Sequence, residues 1–141
     1  MNRKRQRKGF TIIELVAVAM IIAMLAVFVV PRAFRGLGKA KADIARGKMG
    51  ILESGISRFQ YDCGRLPTDD EGLGVLLTAP ADMEEKWSGP YCKRSDLEDP
   101  WDNPFEYMAE GVINVGSFDL VCFGADGTEG GEGDSADIYN D

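Results

Sequence analysis

The sequence predicts an α+β fold in which one long N-terminal helix packs on a small antiparallel β-meander. Residues 10–30 form an uninterrupted apolar segment, and in residues 32–61 apolar side chains recur at helical spacing. Three short runs rich in β-branched and aromatic residues follow between residues 105 and 123, separated by glycine. An acidic, glycine-rich stretch comes last. We therefore expect a helix with an apolar half and an amphipathic half, a three-stranded sheet and a C-terminal loop.

A basic leader precedes the apolar segment. The first nine residues contain five Lys and Arg and no acidic residue, whereas residues 10–141 hold 11 Lys and Arg against 23 Asp and Glu, a net charge of −12. Basic residues that flank an apolar helix stay on the cytoplasmic side, so the acidic remainder is expected on the opposite side. Its negative charge also argues against nucleic acid as a partner.

The apolar segment, residues 10–30, is long enough to span a bilayer, because 21 residues of helix extend about 31 Å. A cleavable-looking site, Gly9-Phe10, lies before this segment, whereas a secretory signal is cut after it. Glu14 is the one charge within the segment, and a carboxylate at that depth needs a partner, which a new amino terminus at Phe10 would supply. The alternative is a plain signal anchor in which Glu14 reaches the membrane interface.

The amphipathic half is predicted over residues 32–61. It follows Pro31, which removes one helical hydrogen bond, and it ends before Gly64 and Pro67. Its apolar side should cover a small domain spanning residues 31–141. The residues expected on that side are Phe34, Leu37, Ile44, Ile51 or Leu52, Ile56 and Phe59.

Beyond the helix, residues 73–77 predict one or two helical turns. Trp87, Tyr91 and Trp101 are interpreted as covers over the core. The strands of the meander are predicted at Phe105–Met108, Val112–Val115 and Phe118–Phe123.

The C-terminal stretch from residue 123 to 138 offers many oxygen donors on a backbone freed by glycine. Carboxylates and carbonyls of this kind suit Ca²⁺, which accepts six to eight oxygens in loose geometry. The other interpretation is a solvated acidic loop, because the spacing of an EF-hand is absent.

Few residues of this chain suit catalysis. It contains no histidine, and it lacks the motifs of serine hydrolases, thiol oxidoreductases and phosphate-binding loops. We expect no enzymatic activity and assign no catalytic residue. Of the three cysteines, Cys63 and Cys92 are the pair expected to form a disulfide if the domain is exported, and three unpaired, semi-buried thiols are the alternative.

Several motifs together resemble the major pseudopilins of the bacterial type II secretion system, within the type IV pilin-like superfamily. Lys8-Gly9-Phe10-Thr11-Ile12-Ile13-Glu14-Leu15 is similar to the signal of the whole superfamily. The similarity to this particular family lies downstream, in Gly64–Thr68, Glu71–Leu73, Thr78–Pro80, Trp87–Tyr91, Asp99–Pro104 and the closing Gly124–Ile138. Asp102 stands where the family usually has glycine.

The resemblance implies a processed filament subunit with a type IV pilin-like fold. A prepilin peptidase would remove the leader, residues 1–9, by cutting after Gly9, and would methylate the amino group of Phe10. Glu14 would pair with the Phe10 amino group of an adjacent subunit. The family binds calcium in the C-terminal loop, which implies side-chain ligands Asp126, Asp134 and Asp137 and carbonyl ligands Phe123 and Thr128.

The function implied is that of a structural subunit that polymerises into the periplasmic pseudopilus. This filament drives protein secretion across the outer membrane. Its partners would be other copies of the chain, minor pseudopilins, the inner-membrane assembly platform and inner-membrane lipid, with the C-terminal domain in the periplasm. The alternative function is that of a type IV pilin or a minor pseudopilin in adhesion, motility or DNA uptake.

Overall fold

A computed structural model describes residues 9–140 of the chain, and for residues 30–36 it describes the backbone only. The predicted leader, apart from Gly9, and the side chain of Phe34 lie outside the described residues.

The two predicted helical halves form one continuous helix, α1, which spans Ile12–Cys63 and contains Pro31. It ends where the sequence indicated. Gly64 adopts a left-handed conformation with φ of +79°, and its N–H donates to the carbonyl of Gln60 at 2.8 Å. Glycine accommodates this conformation at the end of a helix without a steric penalty.

Packing divides the chain into two compact units, one that ends at Gly36 and one that starts at Leu37. In the first unit, Ile12–Val29 is long and apolar enough to cross a membrane, and none of its residues is buried. The second unit has its own hydrophobic core.

The core of the second unit forms between one side of α1 and the sheet. The buried residues on the helix recur every three or four positions, as expected for one helical face. The buried apolar side chains are those of Ala45, Met49, Leu52, Ile56, Phe59 and Cys63. They pack with Phe105, with the strand residues Tyr107, Leu120, Cys122 and Ile138, and with Leu73, Val75 and Leu76.

The predicted core side of the helix was therefore only partly right. Leu52, Ile56 and Phe59 are buried, but Leu37, Ile44 and Ile51 are exposed. The helix carries two apolar stripes, and the core covers only the one centred on Leu52 and Ile56.

The sheet has three antiparallel strands in the order β1-β2-β3, with β1 at Glu106–Met108, β2 at Asp119–Cys122 and β3 at Ile138–Tyr139. Glu106 pairs with Val121, and Cys122 pairs with Ile138. The predicted strand Val112–Val115 is wrong, because that stretch is a loop whose backbone amides bond to a buried side chain described below. The third strand comes instead from the end of the chain.

Short 3₁₀ helices occur at Gly72–Leu76, Arg94–Asp96 and Gly133–Ser135, the first of them where helical turns were predicted. Trp87, Tyr91 and Trp101 are half-buried and pack against the core, which confirms that they cover it. The indole N–H of Trp87 donates to the carbonyl of Val75 at 2.8 Å.

Candidate functional sites

The start of α1 carries a reciprocal cap between Thr11 and Glu14. The Thr11 N–H and hydroxyl both donate to Glu14 Oε2, at 3.2 and 3.1 Å, and the Glu14 N–H lies 3.3 Å from Thr11 Oγ1. This arrangement is a capping box, in which two unpaired amides of the first turn gain acceptors. Both donors use Oε2, and none of the described backbone or side-chain groups donates to Oε1. Within the described part of the chain, Glu14 therefore keeps an oxygen available for a further donor.

The predicted processing site directly precedes this cap. Gly9 and Phe10 are exposed and lie outside the helix, which begins at Ile12. An accessible peptide bond outside regular structure is what a peptidase requires. A methyl group placed on Gly9 would meet no atom of the described chain within 4 Å. The structure thus keeps Gly9, Phe10 and Glu14 within one short segment.

The C-terminal loop joins β2 to β3 and folds back on itself. The Ala125 N–H donates to the Asp134 carbonyl at 2.9 Å, and the Gly130 N–H donates to Asp137 Oδ2 at 2.8 Å. A methyl group on Gly124 would meet the backbone of Asp134 and Ser135 at 2.8–2.9 Å, so glycine permits this close approach.

Two motifs that carried the resemblance meet at the base of this loop. The side-chain N–H of Asn103 donates to the Gly124 carbonyl at 2.9 Å. Asn103 is itself held by buried Asp99, whose Oδ1 accepts the N–H groups of Trp101 and Asn103 at 2.8 and 2.9 Å. Between them Asp102 adopts a left-handed conformation with φ of +68°.

The predicted calcium ligands do not all converge. Within residues 9–140 no group of three carboxylates or thiols is placed to hold a metal ion. Asp126 Oδ1 accepts the Thr128 N–H at 3.3 Å, and the Asp134 side chain lies against Gly38 at the start of the second unit. The Asp137 carboxylate, in contrast, has a buried oxygen, Oδ1, without a hydrogen-bond partner among the described residues. A buried carboxylate oxygen left in this state is costly and suits a cation.

The three cysteines are buried and free, so the predicted Cys63–Cys92 disulfide is not formed. All three belong to the hydrophobic core of the second unit. Burial raises the pKa of all three thiols, that of Cys122 to about 12, and the Cys122 thiol donates to Asp99 Oδ2 at 3.2 Å. They behave as small apolar core residues.

Sequence reasoning missed the residue that organises the loop between β1 and β2. Asp119 is fully buried, and its carboxylate accepts the N–H groups of Val112, Ile113 and Asn114 at 2.7–2.9 Å, as well as the Asn114 amide at 3.0 Å. Burial alone would raise the pKa of Asp119, but these hydrogen bonds outweigh it and lower the pKa below its usual value. An aspartate within an otherwise apolar strand run was the signal in the sequence.

A second missed group is the ion pair after α1. Both Arg65 guanidinium nitrogens donate to the Glu71 carboxylate at 2.7 Å, and Asp82 lies 3.3 Å from the same guanidinium. The Arg65 hydrogen bonds lower the pKa of Glu71 to about 2, with further contributions from Thr68. This bidentate pair fixes the segment that leads from the helix to the first 3₁₀ helix.

A capped, membrane-length apolar helix that continues into a small α+β domain, with a cleavable-looking site before it, defines a type IV pilin-like subunit. The family description "Type II secretion system (T2SS), protein G" matches residues 32–141, and the prokaryotic N-terminal methylation motif matches residues 4–30. The chain belongs to the type II secretion system protein G family, the major pseudopilins that build the pseudopilus of that system.

Relatives and a solved structure agree with this assignment. The chain is 38% identical to type II secretion system core protein G of Vibrio cholerae, over 99% of this chain and 95% of the relative. It is 36% identical to the protein of the same description from Pseudomonas aeruginosa, over 98% and 97%. The crystal structure of the major pseudopilin from enterohaemorrhagic Escherichia coli matches with a TM-score of 0.59 and 27% identity, over 72% of this chain and 87% of that one. The major pseudopilin, and not a type IV pilin or minor pseudopilin, is the function that these comparisons support.

Proposed function

We propose that this pseudopilin waits in the inner membrane through residues 10–30, with residues 31–141 in the periplasm, and acts by assembly rather than by catalysis. A prepilin peptidase cuts after Gly9 and methylates Phe10. The assembly platform then adds the subunit to a filament with other copies and minor pseudopilins. The observation that carries the proposal is the segment Gly9–Glu14, in which an exposed cleavage site lies beside a carboxylate with one open oxygen.

In this proposal Glu14 sets the register of assembly. Its Oε1 accepts the Phe10 ammonium of an adjacent subunit while Oε2 keeps the helix capped. A carboxylate left unpaired among apolar helices costs several kcal/mol, so a subunit that is out of register is rejected. Apolar burial along the helices supplies the attraction, at about 25 cal/mol per Å².

The test compares processing with assembly in the full chain. We expect the Glu14→Ala chain to be inserted and cleaved normally, but we expect its filament yield to fall at least about tenfold. Glu84→Ala, which removes an exposed carboxylate far from α1 in the sequence, is the control and should assemble normally. Normal filament yield from Glu14→Ala would refute the role in register.

Cleavage is tested separately at the residue before the cut. Gly9→Ala should be processed in part, whereas Gly9→Val should keep the leader, because the larger side chain obstructs the peptidase. Mass spectrometry of the amino terminus reads both outcomes, including methylation of Phe10. An unprocessed wild-type chain in cells that contain the peptidase would contradict the proposal.

We also propose that the C-terminal loop binds calcium, which keeps the loop folded and its contacts with other subunits competent. Asp137 is the central ligand in this proposal, because its Oδ1 is buried and unpaired among the described residues. Asp126, Asp134 and the carbonyls of Phe123 and Thr128 are the further donors. Bound calcium would neutralise the negative charge of these carboxylates and accept their oxygens as ligands.

Thermal unfolding of the fragment 34–141 with calcium, with magnesium and with chelator tests this site. Calcium at 100 times its dissociation constant should add about 2.7 kcal/mol to the free energy of unfolding. Asp137→Asn should abolish the gain, and Glu132→Gln, an exposed carboxylate of the same loop, should retain it. Equal stability with calcium and chelator would contradict the proposal.

A further inference from the structure

The second unit exposes a regular apolar stripe along α1, here called the seam. Leu37, Ile44 and Ile51 recur every seven residues and are 62, 52 and 46% exposed. The exposed small residues Ala40, Gly47 and Ser54 alternate with them. From Leu37 to Ile51 the seam is about 21 Å long. This three-and-four spacing is typical of a helix face that receives side chains from a partner.

Nothing within the described part of the subunit explains why the seam contains Gly47. A methyl group there would meet no atom within 4 Å, so alanine would fit the monomer. Glycine in a helix costs about 1 kcal/mol relative to alanine. A neighbouring molecule that approaches the helix closely at this position would account for the small residue.

A second exposed apolar surface lies on the loop between β1 and β2, here called the knob. Val112, Ile113 and Val115 are 77, 54 and 86% exposed. They are not on a slack loop, because Asp119 holds the N–H groups of Val112 and Ile113 and the Gly111 N–H donates to the Ser117 carbonyl at 2.8 Å. A buried carboxylate thus holds the backbone of a loop that exposes three aliphatic side chains, which is typical of a pre-organised contact.

The charges around the two surfaces are complementary. Residues 37–48, which carry most of the seam, hold four Lys and Arg and one Asp within an otherwise acidic domain. Residues 106–117, which carry the knob, hold Glu106 and Glu110 and no basic residue. An encounter between the knob of one copy and the seam of another is therefore favoured electrostatically, and knob against knob is disfavoured.

We propose that the knob of one subunit docks on the seam of a neighbouring copy in the filament. The inference rests on the family's assembly into a filament and names the contact between its globular units. A filament that does not close needs two different complementary surfaces on each subunit, and the knob and the seam are such a pair. The aliphatic side chains of the knob fill the space that Ala40, Gly47 and Ser54 leave between Leu37, Ile44 and Ile51.

Disulfide trapping in filaments made from the full chain tests the contact. Cysteine is placed at Val112 or Val115 together with Ile44 or Ile51, and the filaments are oxidised and run without reductant. A contact between unlike surfaces predicts a ladder of dimers, trimers and longer species for at least one double variant. Mixing the corresponding single variants in one cell should stop the ladder at dimers. Tyr61→Cys with Val115→Cys is the control, because Tyr61 is 89% exposed and belongs to neither surface.

Three outcomes would overturn the inference. Filaments that form without a ladder from any of the four pairs would exclude the contact and leave the filament function intact. Dimers from Ile44→Cys alone would show that the seam pairs with itself. A ladder from the control pair as strong as the others would show unspecific collision. Failure of the wild-type chain to form filaments would instead count against the proposed function.

A second measurement uses no cysteine. Val112→Ser combined with Val115→Ser should weaken association roughly tenfold, since less apolar area is buried. Thermal unfolding of the subunit should be unchanged, because both side chains are exposed. Tyr61→Ser should assemble normally, and equal filament yields from the two serine variants would contradict the docking.

Discussion

Asp119 shows how one buried carboxylate can determine the backbone conformation of a loop. Its carboxylate accepts four hydrogen bonds from Val112, Ile113 and Asn114, and these bonds take the place of strand pairing. The sequence pattern of Val112–Val115 is that of a strand, since β-branched residues dominate it. The alternation of side chains indicates only which residues could face a sheet. It does not reveal that the amides of this loop have a hydrogen-bond acceptor at residue 119.

We expect Asp119→Asn to destabilise the domain by about 3 kcal/mol, because an amide accepts fewer of these hydrogen bonds and brings two buried donors. Urea unfolding of the fragment 34–141 measures the loss. Asp43→Asn, which changes an exposed carboxylate, is the control and should have little effect. Unchanged stability of Asp119→Asn would mean that the loop is held by other contacts.

Asp102 holds an unfavourable backbone conformation for a residue other than glycine. Its φ of +68° is in the left-handed region, which costs an L-residue about 1 kcal/mol and costs glycine little. We expect Asp102→Gly to stabilise the domain by up to about that amount, measured by the same unfolding curves. Asp102→Ala should destabilise it, and a gain from alanine would contradict the explanation.

At the scale of elements, the helix was predictable and its orientation was not. Helical periodicity and the Gly64–Pro67 stop located the end of α1 within a few residues. Ile44 and Ile51 are as apolar as Leu52 and Ile56, so composition could not tell which stripe meets the sheet. The two-residue strand β3 was missed because Ile138–Tyr139 is too short to show an alternating pattern.

Two glycines of α1 make opposite predictions. A methyl group on Gly38 would collide with the Asp134 side chain, whereas one on Gly50 would meet no atom within 4 Å. Gly50→Ala should therefore stabilise the fragment by about 1 kcal/mol through helix propensity. Gly38→Ala should gain less or lose stability, because the C-terminal loop must shift. Equal gains at both positions in thermal unfolding would show that the loop does not pack there.

At the scale of the whole molecule, the sequence separated the apolar helix from the acidic domain by charge and hydropathy alone. Filament function did not follow from those properties. The prediction of a filament subunit rested on the motifs at Gly9–Glu14, Asp99–Pro104 and Gly124–Ile138. In the structure the last two motifs meet through the hydrogen bond from Asn103 to Gly124. The sequence could not fix a ligand set for the proposed calcium site, because glycine-rich spacing fits many arrangements of Asp126, Asp134 and Asp137.

The stability of the domain should fall on the acidic side. Glu71 titrates near 4.5 when unfolded and near 2 when folded, so its stabilisation is fully present above pH 4.5 and is lost as the pH falls toward 2. The lowered pKa of Asp119 adds a loss in the same direction. Glu71→Gln should remove up to about 3 kcal/mol at pH 7 and flatten the acid dependence. Urea midpoints between pH 2 and 7 measure this, and an unchanged slope in the variant would refute the assignment.

The burial of Cys63, Cys92 and Cys122 bears on the chemical stability of the folded domain. Their raised pKa values leave little thiolate at neutral pH, and thiolate is the form that oxidants attack. The domain therefore holds together without a disulfide, and its buried thiols are protected from oxidation and disulfide exchange.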